Sequence, residues 1–179
     1  MAKLAVILGS PREGNSDKIA NLVAETTGYD VETFKINDMK NKSGCHADFA
    51  CKEAGGCVIE DDITKALDAV KVADGVIIAT PVFFGSATSQ TKMFIDRCFG
   101  FLSADLKSII PAGKKLGVVV TCGMDEKSGE KVAREIEGFG NMFGMNFVGS
   151  VIGTDMMDLD ACTKDQNLIN AAKALGKKF

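Results

Sequence analysis

Residues 9–16, Gly9-Ser10-Pro11-Arg12-Glu13-Gly14-Asn15-Ser16, bring together the residue types that hold an anion. The glycines permit a tight loop. Ser10, Asn15 and Ser16 offer side-chain donors, and the Arg12 guanidinium can grip a phosphate bidentately. A second stretch, Pro81-Val82-Phe83-Phe84-Gly85, is aromatic and glycine-bearing and suits a flat apolar ligand. A third, Thr121-Cys122-Gly123, is small and polar. A fourth carries Cys45, Cys51 and Cys57 with His46, the chain's single histidine, and raises the question of metal ligation. Paired catalytic carboxylates, a Ser-His-Asp set and a metal-hydrolase motif are not apparent.

The first loop fails the dinucleotide fingerprint G-x-G-x-x-G, because position 11 is Pro. It nearly matches the triphosphate loop G-x-x-x-x-G-K-[ST], with Gly9, Gly14 and Ser16 in place, but Asn15 stands where the lysine must reach the outer phosphates. A hydroxyl-rich loop with one arginine suits a single terminal phosphate on a nucleotide cofactor better. Two readings compete: an ordinary strand-to-helix turn capped by Ser or Asn, and a nucleotide-phosphate binder or ATPase using the incomplete motif.

The elements around these loops agree with a cofactor site. Leu4-Ala5-Val6-Ile7-Leu8 reads as a buried strand, and Ile19, Leu22 and Val23 as the apolar stripe of the following helix, with Gly28 as its C-cap. Residues 29–36 alternate as a half-exposed edge strand should. From Asn37 to Glu60 the chain is polar and without period, and a loop of that length in a compact domain is functional or mobile. Asp61 or Asp62 caps a helix through Ile63, Leu67, Val70 and Val72. Buried strands at 75–79 and 116–120, helices near 89–101 and 128–143, a strand at 146–152 and a terminal helix from about Lys164 complete the pattern.

Strands alternating with helices give right-handed βαβ units and a parallel sheet covered on both faces. The continuous apolar runs are central and the alternating one is an edge, which the order 2-1-3-4-5 satisfies. In that order ligands bind beyond the strand ends between strands 1 and 3, where the first two loops fall. The expectation is one domain over residues 1–179, a three-layer sandwich around a five-stranded parallel sheet.

Composition sets the outer bounds. With 46% hydrophobic and 25% charged residues and a net charge of −3, the chain resembles an ordinary globular protein, and nothing steers it to nucleic acid or an anionic membrane. No apolar run approaches a membrane span, and the first residues lack a signal-peptide charge cluster. Six cysteines without such a signal indicate reduced thiols, metal ligands or redox chemistry, hence the cytoplasm. The helix near 89–101 carries Met93, Phe94, Ile95, Cys98, Phe99 and Phe101 on more than one stripe, so it packs on its own sheet and on another subunit.

A phosphate loop and an aromatic loop meeting at one switch point describe a flavin mononucleotide (FMN) site. The first holds the ribityl phosphate. In the second, Phe83 or Phe84 stacks on the isoalloxazine ring or walls it off, and amides near Gly85 donate to its edge. Thr121, Cys122 and Gly123 lie near the pyrimidine edge, with Cys122 read as a small buried hydrophobe rather than a reactive thiol.

Residues 9–16, Thr80-Pro81-Val82-Phe83-Phe84-Gly85-Ser86 and Lys92-Met93-Phe94-Ile95-Asp96-Arg97 together resemble the NAD(P)H-dependent FMN reductase and iron–sulfur flavoprotein group of the flavodoxin-like superfamily. The resemblance covers most of the chain. It implies FMN held by Ser10, Arg12, Gly14, Asn15 and Ser16 at the phosphate and bordered by Pro81, Val82, Phe83, Phe84 and Gly85. It also implies homodimers or homotetramers built partly through the helix of Lys92 to Arg97, and electron transfer from NAD(P)H through the flavin to an acceptor that the sequence does not identify. Hydride transfer needs no protein acid or base, so no catalytic side chain is assigned.

The alternative is an electron carrier, flavodoxin-like or cluster-bearing, reduced by ferredoxin. Cluster-bearing members carry a compact run of four cysteines before the second helix. Here Lys42 stands at the first position, leaving Cys45, Cys51 and Cys57 plus His46, so a [4Fe–4S] cluster or a zinc ion is not favoured over free thiols. Asp96 and Arg97 are read as an interfacial ion pair, Lys92 as structural, and Cys98 and Cys162 as packing residues.

Overall fold

Strands covered on both faces have no use for a polar side, and the apolar runs become the centre of the sheet. The computed structural model describes residues 1–123 and 125–179. Its central strands are β1 (Lys3–Leu8), β3 (Gly75–Phe83) and β5 (Lys115–Thr121), flanked by β2 (Asp30–Lys35) and β6 (Asn146–Gly153). All neighbours on the path β2-β1-β3-β5-β6 pair in parallel. This is the expected order, with one addition. The two-residue β4 (Ser86–Ala87) folds back antiparallel on the end of β3 and carries that strand on to Phe83. At the edge, β2 turns Phe34 inward and leaves Asp30 to Thr33 exposed.

Helices cover both faces. On one, α1 (Asn15–Thr27) and α7 (Gln166–Gly176) set Ile19, Val23, Leu168 and Ala172 against Leu4, Val6, Ile77 and Val119. On the other, α3 (Asp62–Val72), α4 (Ser89–Arg97) and α5 (Glu126–Met142) set Ile63, Phe94 and Ile136 against Ile7, Ile78 and Val118. The long segment before α3 contains only a 3-10 turn at Ile36–Asp38 and the short α2 (Ala50–Ala54). The terminal helix is two pieces, α6 (Ala161–Lys164) and α7, because the Asp165 side chain caps the amides of Asn167 and Leu168 and restarts the chain there. Likewise α4 ends at Arg97 and tightens into a 3-10 turn over Cys98–Phe101.

The expected Asp96–Arg97 pair is overturned. Successive helical residues point about 100° apart, so Asp96 faces outward and pairs with Lys92 while Arg97 faces inward. The fully buried Arg97 bonds Asp61 Oδ2 at 2.7 Å and the carbonyls of Ser43 and Ile59 at 3.0 and 2.9 Å, and donates to Cys57 Sγ at 3.1 Å. One arginine thus pins the segment from Ser43 to Asp61 to the body of the protein. Asp61 also caps α3 through Oδ1, which accepts from Ile63 and Thr64, and the Thr64 hydroxyl closes a capping box.

Burial pushes the Asp61 carboxyl up, but Arg97 and the Ser43 amide pull harder and hold it below its ordinary value. A carboxyl depressed in the fold contributes stability that is complete above the unfolded value of 3.8 and is lost as pH falls below it. Arg97→Met strands that carboxylate and is expected to cost about 3–5 kcal/mol in urea unfolding, against less than about 0.5 kcal/mol for Lys92→Met. Asp61→Asn should flatten the acid limb of wild-type stability; an unchanged limb would contradict the assignment.

Candidate functional site

Because the sheet is parallel, β1, β3, β5 and β6 end at the same edge, and the strand order reverses between β1 and β3. The loops leaving those ends meet there. Gly9 joins the first two: its N–H donates to the Ala79 carbonyl at 2.8 Å, and its carbonyl accepts from the Thr88 hydroxyl at 2.6 Å. Thr88 is also the N-cap of α4, accepting from the Thr91 amide, and its own amide donates to Thr80 Oγ1 at 3.2 Å. A β-carbon at Gly9 would lie 1.8 Å from Thr91 Oγ1, so only glycine lets the loop approach this closely.

Past Gly9 the loop forms a cradle. The buried Ser10 hydroxyl donates to the Arg12 carbonyl at 2.7 Å and closes a turn. Gly14 precedes α1 in extended conformation and supplies no side-chain cap. The other long helices, α3, α4, α5 and α7, are capped by Asp61, Thr88, Asp125 and Asp165. Asn15 and Ser16, the first residues of α1, instead line a cleft together with Ser10, Arg12 and Gly14. Backbone donors at the positive end of a helix dipole, with no side chain capping them, are the geometry that suits an anion.

The cleft has a volume of about 310 Å³, at the lower end of small-molecule sites. Pro81, Val82 and Phe83 form one wall, and Thr121, Cys122 and Gly123 another. The Cys122 thiol is buried and points at the carbonyls of Asp125 and Gly153, which suits a packing role. The structure corrects two expectations in the second loop. Phe84 and Gly85 do not line the cleft. They are the tip of the β3–β4 hairpin, both at positive φ (50° and 74°), with Phe84 fully exposed.

The third correction concerns Asn15. Its amide nitrogen donates to the carbonyls of Met156 (3.2 Å) and Asp158 (2.6 Å), and its oxygen accepts from the Cys162 amide at 3.0 Å. The side chain therefore clamps the segment after β6. Arg12 helps, donating to the Met157 carbonyl at 3.2 Å, as does Lys18, which donates to Leu159 and pairs with Asp160. The clamp brings Met156 and Met157 into the cleft, two residues that sequence reasoning missed. Their loop follows the end of β6, and the rule that ligands gather at strand ends was the available signal.

A model of the NADPH-dependent FMN reductase family matches residues 2–156. The chain is 31% identical to iron–sulfur flavoprotein MJ1083 of Methanocaldococcus jannaschii, covering 98% of this chain and 94% of that one. It is 33% identical to an iron–sulfur flavoprotein of Methanosarcina thermophila, over 82% and 77% of the two chains. Among solved structures it superposes on an FMN-dependent NADH-azoreductase of Bacillus anthracis with a TM-score of 0.73, 15% identity and 99% coverage of both chains. At that identity the likeness speaks for the flavodoxin-like fold.

The cysteine segment does not fit a cluster. Cys45 is exposed, Cys51 is buried in packing, and the Cys57 sulfur is engaged by Arg97. Lys42, at the position of a first ligand, donates to the carbonyls of Asn37 and Met39. Among the described residues no three His, Cys, Asp or Glu side chains converge as metal ligands. Asn15→Ala removes three hydrogen bonds from the clamp, each worth about 1 kcal/mol. Amide exchange over residues 156–162 is expected to accelerate about tenfold or more, with residues 43–61 unaffected. Unchanged protection in the loop would mean that other contacts hold it.

Proposed function

The chain belongs to the NADPH-dependent FMN reductase family, and from that premise we propose that its cleft seats FMN with the phosphate in the Ser10–Ser16 cradle. The protein is a flavin oxidoreductase, passing electrons from NAD(P)H through bound FMN to an acceptor. The observation that carries the placement is the first turn of α1, uncapped by any side chain and open at the floor of the cleft. FMN supplies the hydride and electron chemistry when bound, so the chain's task is to hold, orient and shield it.

Its residues divide that task. The amides of Asn15 and Ser16 face a phosphate, Ser10 shapes the loop around it through the Arg12 carbonyl, and Arg12 keeps guanidinium donors beyond the one on Met157. Val82 and Phe83 on one side, and Thr121 to Gly123 on the other, border the space for the ring and exclude water from it. Met156 and Met157 close the remaining side as polarizable apolar surface. Phe83 is half exposed at the mouth, where a second ring can enter.

A homodimer or homotetramer is supported by the outer side of α4 and its 3-10 extension, where Met93 and Phe99 stay partly uncovered and Phe49 packs edge-on against Phe99. Among the described residues no helix is long and apolar enough to cross a membrane. Six cysteines in a chain of this composition support a reducing, cytoplasmic setting.

Protein purified without oxygen is expected to carry a flavin absorption band that bleaches on anaerobic addition of NADPH or NADH. A band that bleaches only with reduced ferredoxin would make the protein a carrier instead. Arg12→Ala should weaken FMN about tenfold or more, from about 1.5–3 kcal/mol for a hydrogen bond to a charged group. Unaltered affinity by fluorescence titration would remove Arg12 from the site.

A further inference from the structure

Lys35, the last residue of β2, reaches over the outer flank of the phosphate loop and does two things at once. Its Nζ donates to the Arg12 carbonyl at 2.9 Å, the same oxygen that accepts the Ser10 hydroxyl. It also pairs with Oδ2 of Asp17, the third residue of α1. The two side chains are 14% and 8% exposed. Asp17 Oδ1 is buried without a hydrogen-bond partner among the described residues. The other charged group acting on Asp17 is Glu13, which is also negative.

This arrangement poses an electrostatic problem that Lys35 solves. A carboxylate in the first helical turn suits the helix dipole, but a phosphate dianion at the same N-terminus is repelled by it. With Asp17 and Glu13 close by, the cradle has a surplus of negative charge unless a cation cancels it. We infer that Lys35 is a positioning residue of the phosphate cradle: by neutralising Asp17 and fixing the Arg12 carbonyl, it makes the loop selective for a phosphorylated flavin. The inference rests on the cofactor reading above.

The geometry adds a second route to the same end. In a planar trans peptide the C=O and the next N–H point in opposite directions. Two donors, Ser10 Oγ and Lys35 Nζ, hold the Arg12 carbonyl and so fix the plane of the Arg12–Glu13 peptide within the loop. Losing Lys35 therefore frees the peptide to rotate and leaves the carboxylate unopposed. Burial pushes the Asp17 carboxyl up, against the pull of Lys35 and a smaller one from the Ser16 side chain.

The test compares FMN with riboflavin, which lacks the phosphate, by fluorescence titration of the full chain stripped of flavin. Lys35→Met is expected to weaken FMN about tenfold or more and riboflavin less than about threefold. Lys35→Arg, which keeps the charge, should stay within about threefold of wild type for both. Lys35→Met/Asp17→Asn removes the stranded carboxylate and should recover most of the lost FMN affinity, a rescue that a purely structural defect would not give. If Lys35→Met does not fold, the double variant carries the comparison, with FMN weakened no more than about threefold and riboflavin unchanged, a larger FMN loss overturning the inference.

Equal losses for the two flavins, no loss for either, or a double variant no better than the single one would overturn the inference while leaving the cofactor reading intact. Wild-type protein that binds neither flavin, or binds riboflavin as tightly as FMN, would overturn both.

Discussion

The backbone of Gly9 is the fastening on which the site depends. Its N–H is committed to the Ala79 carbonyl on β3 and its carbonyl to the Thr88 hydroxyl at the start of α4, so the loop after β1 and the end of β3 move as one piece. A side chain there would occupy the position of Thr91 Oγ1. Both polar groups of one peptide position are satisfied in the interior, where an unsatisfied one is costly. A parallel sheet brings loops to a common edge. This latch converts nearness into fixed geometry.

The helix ends then divide the labour. Four long helices have their first amides satisfied by their own side chains, and α4 is capped by the same threonine that holds Gly9. At α1 the side chains that could cap are committed elsewhere: Ser10 closes the turn and Asn15 clamps the loop after β6. An uncapped N-terminus is a local loss of stability that a bound anion reverses. The loop leaves the first turn of α1 without a side-chain cap, which is what the proposed phosphate would supply. Arg97 performs the corresponding task at a distance, tying the cysteine segment and the start of α3 together through one buried pair that is expensive to break but supplies no chemistry.

Much of this was legible from residue order. Unbroken apolar runs at 4–8, 76–79 and 116–120 marked central strands, the alternation over 29–36 marked an edge, and the spacing of Gly9, Ser10, Gly14 and Ser16 marked an anion loop. What escaped depended on long-range partners. Nothing local distinguishes Asn15 the phosphate ligand from Asn15 the clamp, because its partners at 156–162 lie more than 140 residues away. Arg97 and Asp96 are adjacent in sequence and face opposite ways, and the partner of Arg97 is on another element. Phe84 appeared as a ring-stacking residue because its type was read without its turn. A two-residue hairpin needs positive φ at its tip, which puts the ring outside.

A crystal structure of the protein with FMN tests the central claim most directly. The phosphate is expected against the backbone amides of Asn15 and Ser16 and beside the Arg12 guanidinium, and the ring between Val82–Phe83 and Thr121–Gly123, with the Gly9 bonds to Ala79 and Thr88 intact. A flavin bound with its phosphate away from the first turn of α1, or a cleft that must break the Gly9 latch to admit the ring, would contradict it.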